Sequence, residues 1–229
     1  MRQLRYLFVS SFLFTLFFTA CRNEPEVTGI NIDKDPVVNV RIGGDPESLA
    51  YLFVTDSKAL QIIRQIFLPL MDFEPETYNM VPVLAKTAPI IETITEEDQE
   101  LVVYNYEIRS EATWFDGSPV TGNDYLFVVK ALSCPSIGSG YAGQFRGVKR
   151  VEVDATNPKK FKIVAKKSIM AMQSFGNFAP LPQYLYDPNG LFNKYSLTEI
   201  RDKATAENDE ALTQLAADFK SPKYLRDPS

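Results

Sequence analysis

From Ser57 the chain returns to an apolar residue every third or fourth position. In SKALQIIRQIFLPL, Leu60, Ile63 and Phe67 share one helical face, Ile62, Ile66 and Leu70 widen it, and Pro69 closes the run. That spacing predicts a core-facing helix. The period then drops to two: ELVVYNYEIR (100–109) alternates β-branched and aromatic residues with polar ones, and Glu96-Glu97-Asp98 before it suits a solvated hairpin turn after APIIETI. Upstream, VVNVRIG (37–43) reads as a strand running into Gly43-Gly44-Asp45-Pro46. Thr121 with Asp124 three residues on forms a capping box for a helix over 122–132, with Pro119 stopping the preceding segment and a loop running to about residue 147. VKRVEVD and KKFKIVAKK predict a strand pair joined through Asn157-Pro158, and LPQYLYDPNG an aromatic loop. NDEALTQLAADF predicts a last helix with Leu212, Leu215 and Phe219 on one face. Helices and strands interleave without an internal repeat, so the class is α/β or α+β with a mixed sheet.

Composition narrows the chemistry. With 229 residues and 45% apolar content the chain can bury a substantial core. It has no histidine, which removes Ser-His-Asp and Cys-His nucleophile systems and histidine metal sites. The formal charge is −5; taking Arg2 and Arg5 from the 24 bases leaves 22 against 29 acids, or −7, and gives no attraction for nucleic acid. No cofactor motif is present.

Arg2 and Arg5 precede YLFVSSFLFTLFFTA and then Cys21. This resembles a bacterial lipoprotein signal, which implies cleavage of residues 1–20 and a lipid on the Cys21 thiol. The apolar run is short for a membrane span of about 20 residues, and no basic stop-transfer cluster follows. Residues 21–36, polar with two prolines, read as a flexible tether. Cys134 is then expected to be a buried small hydrophobe.

Three motifs invite chemistry and have plainer readings. Asp116 sits in an Asp-Gly turn and Asp124 at a helix cap, so both acids are expected to be structural. GSGYAG (138–143) has the spacing of a dinucleotide loop, but it follows a helix and Cys134-Pro135 instead of a strand. Between Arg146 and Lys167 eight bases face Glu152 and Asp154; on strands they make a solvated outer face.

Taken in order, GGDPESL, QIIRQIFLPL, MVPVLAKTAPIIE, YEIRSEATWFDGSPVTGNDYLF and FRGVKRVEV with KKFKIVAKK and PLPQYLYD resemble the solute-binding proteins of ABC importers. The family is the oligopeptide- and dipeptide-binding one, extracellular solute-binding family 5, and the resemblance covers about residues 40–190. It implies part of a two-lobed periplasmic-binding fold of the class II type. Residues 37–67 would begin lobe I, 68–190 form an accessory subdomain, and 191–229 start a return into lobe I, truncated before the second lobe. It further implies that Thr55, Asp56, Ser57 and Tyr141 line the ligand cleft, and that a monomer, lipid-anchored on the periplasmic side or cell surface, passes a peptide or similar solute to ABC permease subunits. Leu68-Pro69-Leu70 in place of Glu-Gly-Leu, Ala88 in place of tryptophan, and Gln183-Tyr184 in place of Lys-His leave the ligand class open.

Two other functions compete. One is a surface lipoprotein that holds partners or acts like a chaperone through its aromatic loops. The other is a lipid-anchored hydrolase using Asp and Glu pairs, against which stands the lack of any nucleophile-base set.

Overall fold

The computed structural model describes residues 39–167, 175–202 and 207–220. Helix α1 (Ser57–Ile66) starts where the backbone of Asp56 is extended and its carboxylate accepts the Lys58 N–H at 3.1 Å. The cap satisfies one of the amides that a first helical turn leaves free. The helix stops at Phe67, two residues before Pro69, and buries Ala59 and Ile63. A hairpin follows, β1 (Met71–Phe73) paired antiparallel with β2 (Met80–Pro82).

The main sheet has four strands, β3 (Ile90–Glu96), β4 (Gln99–Glu107), β5 (Val148–Val153) and β6 (Lys160–Lys166), in the order β3-β4-β6-β5. The expected acidic turn joins β3 to β4: Glu97 and Asp98 take φ of 49° and 59°, the left-handed pair that a two-residue hairpin loop requires. All neighbouring strands are antiparallel. The mixed sheet expected from interleaved helices is absent among the described residues for a topological reason. Helix α2 (Gly122–Ser133) does cross from β4 to a strand running the same way, β5, but β6 is inserted between the two.

The alternation along β4 and β6 sorts the two faces of the sheet. Tyr106 stacks on Phe161, and Phe161 meets Tyr125 of α2 at 5.2 Å between ring centroids. On the opposite face Leu101, Val103 and Val164 form a small second cluster. Around it runs a chain of ion pairs, Glu96–Arg150–Glu152–Lys162. These pairs are half exposed, so each contributes little. The expected solvated lysine face is thus present at Lys160 and Lys162, whereas Lys159 is partly buried and donates to the carbonyls of Arg109, Ala112 and Val120.

Helix α2 is the centre of the core. Thr121 and Asp124 form the anticipated capping box, and Asp124, itself buried, also accepts the Gln183 N–H. Replacing Thr121 by alanine is expected to destabilise the chain by about 1 kcal/mol in urea unfolding, with Thr121→Ser close to wild type. Beyond α2 lie α3 (Ala142–Phe145), α4 (Gln183–Tyr186), a 3-10 turn at Leu191–Lys194, α5 (Leu197–Arg201) and α6 (Glu210–Phe219). The sequence presents α3 and α4 as loops because four residues are too few to show a helical period. Helix α6 buries Leu212, Ala216 and Phe219, close to the expected face. The strand expected over 37–43 does not form in its described part, 39–43. No described strand pairs with it, and unpaired backbone gains nothing from extension.

Acid titration follows from these contacts. Hydrogen bonds from Arg150 hold Glu96 and Glu152 below the usual glutamate value of 4.5, and one from Lys86 does so for Glu107. Hydrogen bonds from Ser118, Thr156 and Tyr195 hold Asp116, Asp154 and Asp209 below 3.8. A carboxyl depressed on folding stabilises fully above its unfolded pKa and loses that contribution as pH falls through the folded value. Glu111 and Glu199 are depressed likewise, and burial pushes Asp124 the other way, one group against eight. With no histidine in the chain, the melting temperature is expected to stay flat from about pH 5.5 to 8 and to fall steadily below about 4.5. Calorimetric scans across this range check it, and a rise on acidification would contradict it.

Candidate functional site

One face of α1 points into an open cavity of about 630 Å³. Leu60, Ile63, Arg64 and Phe67 form its floor at the i, i+3, i+4, i+7 spacing of a helix face. Tyr51, which packs on Phe67 at 5.6 Å between ring centroids, lines the cavity together with Tyr141, Phe178 and the exposed Phe73. The rings order one another: Tyr141 meets Phe178 edge-on at 5.3 Å, and Tyr51 meets Phe178 edge-on at 5.6 Å. The volume lies within the roughly 300–1,000 Å³ of small-molecule sites, and apolar walls with a few polar groups are what such sites present.

The glycine-rich stretch holds the walls together. Gly138 turns the chain at φ 70°, where a side chain would be strained. Ser139 Oγ then donates to the Leu52 carbonyl at 2.5 Å, and the Tyr141 hydroxyl donates to the Val54 carbonyl. GSGYAG is therefore a clamp on residues 50–54. Its following helix has four residues, and nothing in it cradles a phosphate.

The residues singled out from sequence fall into two groups. Tyr141 lines the cavity, and its hydroxyl reaches the residue next to Thr55. Thr55, Asp56 and Ser57 lie beside the cavity and outside its lining. Thr55 is exposed, and its N–H and C=O have no intramolecular partner among the described residues. Asp56 caps α1 with one oxygen; Oδ2 is buried without a hydrogen bond, the Lys58 ammonium standing 3.8 Å away. Cys21 lies outside the described residues. Cys134 is buried as a free thiol, and burial pushes its pKa up, as suits a packed hydrophobe.

Sequence reasoning missed Tyr51, Arg64 and Phe178. Arg64 left a trace, being the single base inside an otherwise apolar helical stripe, whereas Tyr51 and Phe178 reach the site only through tertiary packing. Asp116 has the expected structural role, accepting from the N–H and Oγ of Ser118. A hollow on the outer face of the sheet, between Asn105, Glu152 and Lys162, is the weaker candidate, because Glu152 and Lys162 already pair at 3.1 Å.

No family model matches the chain. The chain is 27% identical over 221 residues to the oligopeptide-binding protein OppA of Bacillus subtilis (strain 168), a match covering 91% of this chain and 37% of that protein. Among solved structures it resembles the oligopeptide-binding protein of Thermus thermophilus in complex with a pentapeptide, with a TM-score of 0.56 at 18% identity, over 76% of this chain and 30% of that one. It also resembles AppA of Bacillus subtilis in complex with a nonapeptide, with a TM-score of 0.51 at 15% identity, over 70% and 29%. The α/β fold is therefore that of the oligopeptide-binding proteins of solute-binding family 5, over the part of them that this chain covers.

Proposed function

We propose that the chain contributes one wall of a peptide-binding site in the solute-binding component of an ABC importer, with the cavity beside Tyr141 as that wall. The observation that carries this reading is the coincidence of an open, aromatic-lined cavity with the fold of oligopeptide-binding proteins. The chain spans about a third of those proteins' length, so capture, delivery and partners are proposed for the site and not read from it.

Extended peptides suit such a wall. Thr55 offers a free N–H and C=O to a ligand main chain, as an added strand would use them. The rings of Tyr51, Tyr141 and Phe178 offer apolar contact, and water fills what side chains leave. Affinity without strict sequence selectivity is the consequence. In this reading residues 37–67 begin lobe I, 68–190 are its accessory subdomain and 191–229 return toward it.

The test is titration of the ¹⁵N-labelled chain with mixed tri- to pentapeptides, followed by NMR. Saturable shifts are expected at Thr55, Tyr141 and Gln144, with a dissociation constant on the order of millimolar because the open wall covers a ligand on one side only. Tyr141→Ala is expected to weaken binding by a factor of roughly 5–150, the range for losing a buried aromatic anchor. Absence of shifts at these residues would overturn the reading.

The anchor belongs to the same proposal. Cys21 carries the lipid, residues 22–36 tether the domain to the membrane, and the site works on the periplasmic side or cell surface next to permease subunits. Labelled fatty acid is expected to enter the wild-type chain and not Cys21→Ala; equal incorporation would remove the anchor from the proposal.

A further inference from the structure

Taking the cavity as a peptide site, we propose that Arg64 and Tyr51 together receive a carboxylate of the bound peptide, so that the site favours ligands with a negative charge beside α1. Among the described residues Arg64 is the one charged side chain lining the cavity. Among the described residues no hydrogen bond or ion pair engages its guanidinium, and its helical neighbours Leu60, Gln61, Phe67 and Leu68 carry no charge. A lone, unpaired guanidinium on an aromatic wall presents a planar fork of donors that matches a carboxylate.

Tyr51 supplies the second donor. Its hydroxyl oxygen accepts the Ala179 N–H at 2.7 Å, which leaves its own proton with no acceptor among the described residues. Tyr141 differs, because its proton is already given to the Val54 carbonyl. The field of Arg64 reaches both hydroxyls and opposes the upward push of burial on each. Two free donors, one of them cationic, thus face a cavity whose lining contains no Asp or Glu among the described residues. An anionic acceptor completes this arrangement and an ammonium does not. The chain as a whole is acidic, at −5, so preference for an anion has to come from this local group and not from long-range steering.

The carboxylate has two sources, the C-terminus of the peptide or an Asp or Glu side chain, and three probes separate them. These are acetyl-pentaalanine with a free C-terminus, its C-terminal amide, and acetyl-Ala-Ala-Glu-Ala-Ala-amide, each titrated into the labelled chain by NMR at low salt. The free acid is expected to bind about tenfold tighter than the neutral amide, the worth of a charge-assisted hydrogen bond at a half-exposed site. This advantage should shrink in 0.5 M salt, where the screening length is a few ångströms, and vanish in Arg64→Gln, whose exposed position leaves the fold intact. If the glutamate peptide binds like the free acid, either carboxylate serves; if it binds like the amide, the C-terminus is the group received. Equal binding of acid and amide to the wild type, or an undiminished advantage in Arg64→Gln, overturns the inference while leaving the peptide site standing. Absence of shifts with all three removes the peptide site and this inference together.

Discussion

Replacing Phe127 by alanine is expected to cost the chain about 3–5 kcal/mol, the range for emptying a buried aromatic site that cannot collapse. Phe127 is 1% exposed and projects from α2 into a cluster assembled from separate elements. Its ring lies 5.7 Å from Phe192 of the 3-10 turn, 6.4 Å from Tyr186 of α4 and 6.3 Å from Phe219 of α6. No two of these elements are held together by a sheet ladder, so the shared cluster packs α6 and the 3-10 turn against α2, with a hydrogen bond from Lys130 to the 3-10 turn beside it. Aromatic pairs add about 0.5–1.5 kcal/mol beyond the area they bury, and three such pairs are lost at once. Lys130, about one turn further along α2, donates to the Phe192 carbonyl at 2.8 Å and cannot replace the lost packing. Urea unfolding followed by circular dichroism measures the loss, and amide exchange should report α6 opening first. A change below about 1 kcal/mol would mean that the surrounding rings close the cavity, contrary to the expectation.

What the sequence made legible was whatever a local rule determines. The Thr121–Asp124 box, the Asp116 turn and the Glu97-Asp98 hairpin each depend on residues within four positions of one another, and all three are found as expected. Alternation in β4 and β6 likewise sorted the sheet's two faces. The cavity was not legible in this way, because Tyr51, Arg64, Tyr141 and Phe178 come from four separate stretches of the chain. Only the resemblance pointed to Tyr141, and it also pointed to Thr55, Asp56 and Ser57, which lie beside the cavity. The stripe on α1 read as core-facing for a related reason. Period alone cannot tell a face that packs on protein from one that is half open to a cavity, and the isolated arginine within the stripe was the clue. The same limit explains Lys159. A lysine count predicts a solvated face, whereas three carbonyls converging on one ammonium are a property of the fold.

Arg201 is the next most consequential side chain, and its replacement by alanine is expected to cost about 2–4 kcal/mol. At the end of α5 its guanidinium donates to the Val148 carbonyl at 2.5 Å, the Phe145 carbonyl at 2.7 Å and Ser133 Oγ at 3.4 Å. One fork thereby joins the end of α2, the end of α3 and the first residue of β5. Burial pulls its pKa below the usual arginine range, so the cation is held at a desolvation cost that the carbonyl oxygens offset. Phe145 and Val148 are both fully buried. With the fork removed, their carbonyls lose a charged donor in a place water reaches poorly, and each such loss is worth about 1–3 kcal/mol. Packing and hydrogen bonding can be separated by two further variants. Arg201→Met keeps the aliphatic stem and none of the donors, and is expected to remain nearly as unstable as alanine. Arg201→Lys restores one point charge that cannot span both carbonyls, and is expected to recover less than half of the loss. Urea unfolding of the four chains gives the comparison, and a methionine variant as stable as wild type would show that the stem, and not the fork, ties these elements together.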